Sequence, residues 1–146
     1  MAAVALALLL LGATITIHYE VLRLTSLRLC NLEMAPRLRI VVVLVAALAS
    51  HMAHVVLYAA VYLMVEEYTL LGSIEGLAAG GRTDNSFADA LYFSITSYTT
   101  LGIGDLYPTG AIRLLSGVEA LSGLVMVGWT ASMTYLAMER FWQLRP

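Results

Sequence analysis

The sequence has no lysine, one cysteine and three prolines, and only 12% of its 146 residues are charged. A single cysteine, Cys30, rules out a disulfide within the chain and any metal site built on cysteine pairs. Sparse charge beside 60% hydrophobic residues excludes an ordinary soluble domain, which would expose more polar surface. The formal net charge is only −2, and no basic patch is interleaved with aromatics, so nucleic acid is not an expected partner. All eight basic residues are arginine, and the missing lysine carries no functional reading. What remains is one integral membrane domain, with no appended soluble regulatory domain expected.

Crossing a bilayer takes about 20 mostly apolar residues. Three stretches qualify: 2–22, 40–65 and 111–138. Arg23, Arg28, Arg37 and Arg39 lie between the first two, and Arg140 and Arg145 follow the third. Glu66, Glu67, Glu75, Asp84 and Asp89, opposed only by Arg82, lie between the second and third. Arginine excess marks the cytoplasmic side, which sets the N-terminus outside and the C-terminus inside. The first span lacks a positive n-region and a clear A-x-A site, against a cleaved signal peptide. Its following arginines lie beyond the apolar run, not at three-residue spacing within it, against a voltage sensor. Residues 23–39 form a cytoplasmic connector, with 20–34 suited to an interfacial amphipathic helix and Pro36 to a helix start. Tyr135, Phe141 and Trp142 suit an aromatic belt.

Ser86 and Asp89 form a helix-start pattern ahead of the short apolar run FADALYFSITSYT, so a helix is expected over 86–99. It is too short to span, and both its flanking spans have their outer ends nearby. A half-crossing helix that returns as extended backbone to the same face satisfies these constraints. Irregular backbone at membrane depth must be buried in protein or line a water-filled cavity. Gly102 and Gly104 can enter the left-handed region without a Cβ penalty, which lets successive carbonyls turn the same way. Carbonyls from one strand cannot replace a cation's hydration shell, but four copies around an axis can, so a homotetramer is expected. The C-terminal end of the short helix, aimed inward, favours a cation there.

The segment TTLGIGDLYP, preceded by LYFSIT and followed by a long apolar run, resembles the pore module of the potassium channel family over residues 40–142. The filter of that family reads TVGYG, and the matching residues are Thr100, Leu101, Gly102, Ile103 and Gly104, then Asp105. The resemblance implies an outer helix over 40–65, an extracellular loop over 66–85, a pore helix over 86–99, a filter over 100–105 and an inner helix over 111–138. It further implies that the carbonyls of Thr100 to Ile103, with the Thr100 hydroxyl, hold K+, and that no other cofactor or metal is needed. Ile103 stands where a tyrosine is usual, so no phenol braces the filter there. Thr96 stands where some relatives have a buried carboxylate, leaving Tyr92 to hydrogen-bond Asp105; Thr99 completes the expected filter support.

Polar groups inside the spans default to functional readings. His51, His54, Tyr58 and Tyr62 share one helical face, and Ser116, Glu119 and Ser122 share another. Tyr58 falls near the depth of Glu119 and His54 somewhat deeper, so contact of Glu119 with one of these or with the pore helix makes either a buried polar tie or a proton-sensitive element. His18 and Glu20 are expected to pair with Arg23 or nearby loop groups. A metal site of the three histidines is not expected, because His18 falls at a different depth. Gly117, Gly123 and Gly128 permit close packing or a bend, and the resemblance implies a hinge at Gly123; Met126, Trp129 and Met133 are the expected cavity lining. The outer acidic residues, repeated fourfold, would concentrate cations at the mouth.

The fold class is thus an all-α membrane protein with three transmembrane helices, a re-entrant pore helix and a filter loop, homotetrameric around a central pore. The function expected is passive K+ conduction in a bacterial plasma membrane, with partners limited to further copies of itself, membrane lipid and monovalent cations; no enzyme chemistry is expected. A poorly selective monovalent cation channel is the alternative within transport, and a structural or interaction membrane protein the alternative outside it.

Overall fold

The computed structural model describes residues 1–30, 33–69, 71–76 and 87–142. Three long helices, α1 (Ala2–Cys30), α2 (Pro36–Tyr68) and α4 (Ile112–Trp142), are each long and apolar enough to cross a membrane. A short helix, α3 (Phe87–Tyr98), lies between α2 and α4, flanked by strands β1 (Ile74–Gly76) and β2 (Leu106–Pro108). Ser86, Arg82, Asp84 and Arg145, and the side chains of Phe141 and Trp142, fall outside the described residues.

Each long helix outruns its apolar stretch. The 29 residues of α1 measure about 43 Å at 1.5 Å per residue, and the helix carries on past Leu22 through Arg23 and Arg28. No helix breaker stands at the polar boundary, so the backbone keeps its own hydrogen bonds where water or headgroups begin. The Glu20–Arg23 ion pair, 2.8 Å on the exposed face, solvates that stretch. α2 begins with Pro36 in its first turn, where the missing N–H has no partner to lose. It ends at Thr69, whose backbone N–H and hydroxyl both donate to the Val65 carbonyl while the chain turns extended.

Contacts fix the directions of the helices. His18 meets Ser50, so α1 and α2 run antiparallel, and Tyr62 meets Glu119, so α2 and α4 do as well. α1 packs on α2 and α4, behind the short helix. The main core joins Leu10 of α1, Tyr58 and Tyr62 of α2, Phe93 of α3 and Leu115 of α4, with the Tyr62 and Phe93 rings edge to face at 5.2 Å.

α3 starts at the end shared by the C-terminus of α2 and the N-terminus of α4. It finishes beside His51 and His54, near the middle of α2, with Tyr98 buried against Val55 and Met126. It therefore crosses about half the apolar layer. Above it, β1 and β2 pair antiparallel, Ile74 opposite Pro108 and Gly76 opposite Leu106. This ribbon is not legible in the alternation of so short a strand pair, and it ties the return of the loop to the segment after α2.

Gly123 of α4 is where α3 comes closest. A Cβ there would run into the Tyr98 carbonyl oxygen, and α4 is continuous through the position. Close approach, one of the two uses the sequence allows this glycine, accounts for it in this structure. Gly123→Ala is expected to lower stability by about 1–3 kcal/mol through overpacking, read as a lower unfolding temperature in detergent; an unchanged temperature would mean that α3 is not seated there.

Candidate functional site

From Thr99 to Asp105 the chain is neither helix nor strand. Thr100, Gly102 and Gly104 have φ of +59°, +52° and +86°, so every second residue occupies the left-handed region. The two glycines do this freely, but a β-branched threonine does not. Thr100 therefore stores strain, on the order of 1–3 kcal/mol. Sequence reasoning gave the geometry to the glycines alone; the alternation, extended back one step, was the signal for Thr100.

The segment is pinned to α3 at both ends. At its inner end the Thr100 N–H donates to the Ser97 carbonyl at 2.9 Å and the Gly102 N–H to the Thr96 carbonyl at 3.1 Å. At its outer end Tyr92 Oη donates to Asp105 Oδ2 at 2.8 Å, while Asp105 Oδ1 accepts the Leu106 N–H at 2.9 Å. Its hydrogen bond to Asp105 raises the Tyr92 phenol above the usual tyrosine range. Between these pins, no backbone N–H of the described residues donates to the carbonyls of Thr100 through Gly104. Leu101 and Ile103 are 64% and 58% exposed on the single chain.

Thr96 reaches Asp105 with nothing: its hydroxyl bonds back to the Phe93 carbonyl at 2.9 Å, as a threonine inside a helix can, and only its carbonyl touches the loop. Thr99 does the same toward Ile95 at 2.7 Å.

The intramembrane polar residues form two clusters, where the sequence suggested one. Glu119, fully buried, accepts from Tyr62 Oη at 2.5 Å and meets Ser94 Oγ at 2.5 Å, tying α2, α3 and α4 together. Ser94 Oγ also lies 2.9 Å from the Val55 carbonyl. The serine has one hydrogen for two acceptors. A carboxyl that carries its own hydrogen closes the network: Glu119 donates to Ser94, Ser94 to Val55, and Tyr62 to the other carboxyl oxygen. No histidine takes part.

His51 and His54 instead meet Tyr98 Oη through Nδ1, at 2.7 and 3.1 Å. His18 joins them, its ring centroid 5.1 Å from that of His51 and 5.7 Å from that of His54. The expected difference in depth is corrected here. α1 continues to Cys30, so His18 lies within the helix body rather than near its inner end, and it pairs with Ser50 and Thr130 rather than Arg23.

The expected cavity lining is corrected too. Met126 is buried against Val55 and Tyr98, Trp129 stands 5.4 Å from His18, and Met133 lines a pocket with Ser26, Leu29 and Val43. All three face the chain's own helices, and the large apolar residues of α4 left exposed are Leu114, Leu121, Leu124, Val125, Val127, Tyr135 and Leu136. Apolar residues surround the Ser116, Glu119 and Ser122 face of α4, so the sequence does not show which of them stay uncovered.

Glu119→Gln reproduces the neutral donor–acceptor pattern and is expected to stay within about 1 kcal/mol of the parent, whereas Glu119→Ala orphans Tyr62 and leaves a void, costing about 2–4 kcal/mol. Denaturation of both variants in detergent checks this; equal losses would mean that Glu119 acts as a charge.

The family described as Ion channel matches residues 40–140, more than two-thirds of the chain. Two-pore potassium channel 1 of Arabidopsis thaliana is 37% identical over 82 residues, 56% of this chain and 22% of that protein. Two pore potassium channel b of Oryza sativa subsp. japonica is 39% identical over 72 residues, 45% of this chain and 20% of that protein. The chain thus spans about a fifth of the length of these relatives. No solved structure matches it. With a half-crossing helix and its glycine-bearing loop held between two membrane-length helices, and the family match running over the same residues, the chain is an integral membrane protein that belongs to the pore-domain family of ion channels.

Proposed function

We propose that four copies assemble around an axis lined by the carbonyls of Thr100, Leu101, Gly102, Ile103 and Gly104 and conduct K+ passively. One observation carries this reading: five successive carbonyls that no backbone N–H of the described residues satisfies lie at the end of a half-crossing helix, with alternate residues left-handed. Backbone of this kind, at that depth, needs a partner that its own chain does not supply, and a desolvated cation is one. The exposed Leu101 and Ile103 need cover from neighbouring copies, and a cyclic assembly gives it. The negative end of α3 adds a favourable field for a cation at mid-membrane. The two relatives are both named potassium channels, which supports K+ as the ion.

In this reading Tyr92 and Asp105 brace the outer end of the filter and Thr96 braces the inner end through its carbonyl. Ile103 contributes a carbonyl but no side-chain hydrogen bond, so the filter is softer than one with a tyrosine there. The arginine-bearing ends of α1 and α2 face the cytoplasmic side of a bacterial-type plasma membrane, with the N-terminus outside. The pairing of Tyr92 with Asp105 supports a filter, since it fixes the outer end of the loop to α3.

Reconstituted in liposomes, the protein is expected to give currents whose reversal follows the K+ gradient in mixed K+ and Na+, and Gly104→Ala is expected to abolish them while oligomeric mass is kept. Reversal potentials indifferent to K+ and Na+ would favour a poorly selective cation channel. Absence of flux, unaffected by Gly102 or Gly104 substitution, would leave a packing role.

A further inference from the structure

The histidine cluster is built from parts that conduction does not use. His18 comes from α1, outside the family match, and His51 and His54 come from α2. One ring nitrogen from each lies within 4.8 Å of those of the other two. His18 and His54 are fully buried and His51 is half-buried.

The hydrogen bonds around the rings form a single chain. His54 Nδ1 meets Tyr98 Oη, which meets His51 Nδ1; His51 Nε2 meets Thr130 Oγ1 at 2.9 Å, which meets His18 Nε2 at 3.2 Å; His18 Nδ1 meets Ser50 Oγ at 3.0 Å. A neutral imidazole has one donor and one acceptor, and each hydroxyl has one hydrogen. Where His54 Nδ1 donates to Tyr98, Nε2 is left with a bare lone pair; where Nδ1 accepts, Nε2 carries an unused N–H. In either tautomer His54 Nε2 is the end of the line, and it is buried with no hydrogen bond; the Thr14 carbonyl nearby does not complete one. A buried polar group without a partner is costly, and asks for a ligand.

We propose that His18, His51 and His54 bind a late first-row transition-metal ion, with Zn2+ the reference case, that ties α1 to α2 behind the end of the pore helix. Imidazole suits Zn2+, Cu2+ and Ni2+, and three histidines with a fourth position open are a known zinc arrangement. Zinc–nitrogen bonds of about 2.0–2.1 Å require ligand nitrogens about 3.4 Å apart, so the rings close by about 1 Å, a matter of side-chain torsion. Each ring can keep its other nitrogen on a hydroxyl, Ser50 for His18, Thr130 for His51 and Tyr98 for His54, which is how ligating histidines are held. A hard cation has no oxygen cage here, so Mg2+ and Ca2+ are not expected to compete.

The full-length protein, purified in detergent without a polyhistidine tag and stripped with chelator, is titrated with Zn2+ by calorimetry and thermal unfolding. One Zn2+ per chain is expected, with a raised unfolding temperature, no displacement by Mg2+ or Ca2+, and zinc-edge absorption fitted by three imidazole nitrogens. His18→Ala and His54→Ala are each expected to weaken binding roughly a hundredfold or more, beyond the loss typical of an outer supporting group. The absorption spectrum reads the parent protein alone, so it decides even where a variant folds poorly. No zinc uptake by the parent, or uptake undiminished by loss of His18, would overturn the proposal. Neither result bears on K+ flux, which is measured separately.

Discussion

Carbonyls at mid-membrane that no backbone N–H of the described chain satisfies are the constraint around which this structure is arranged. The short helix α3 exists to deliver them. It can stop half way because Tyr98, its last residue, is buried among the histidines and Met126, and because Gly123 lets its terminal carbonyl region lie against α4. It cannot slide, because Ser94 is held by Glu119 and Val55 while Phe93 packs on Tyr62. The loop that follows hangs from the same helix at both ends, through Thr96 below and Tyr92 above. Strain at Thr100 persists because these attachments over-determine it.

The polar groups form two tiers. Glu119 with Tyr62 and Ser94 sits at the level of the middle of α3, and the three histidines with Tyr98 sit at its end. Both tiers bind elements that apolar packing alone would hold in many rotations, since the long helices are hydrophobic on all sides. The upper tier belongs to the pore module. The lower tier recruits α1, which gives the additional helix a defined place behind the pore helix rather than a loose position in lipid.

Much of the architecture was legible in the sequence for simple physical reasons. Long apolar runs set the three membrane-length helices, and the shortness of 87–98 required a half-crossing segment. The pairing of Tyr92 with Asp105 came from the resemblance to the potassium channel family, some of whose members carry a carboxylate where Thr96 stands. What was not legible depended on rotation and register. Glu119 lies a tier above His54 and meets Tyr62 and Ser94 instead, and the polar face shared by His51, His54, Tyr58 and Tyr62 does not show which of them reaches which neighbour. His18 was misjudged because the end of the apolar run was taken as the end of the helix, and α1 continues for another two turns. The β1–β2 ribbon left no trace in strands of three residues.

The central claim concerns the carbonyls of Thr100 through Gly104, and the structure of the assembled protein in lipid, determined in K+, tests it most directly. The account requires four chains around one axis, with ion density between successive rings of these carbonyls and with Leu101 and Ile103 covered by adjacent copies. Chains without a common axis, or carbonyls capped by protein N–H groups with no ion density between them, would contradict it.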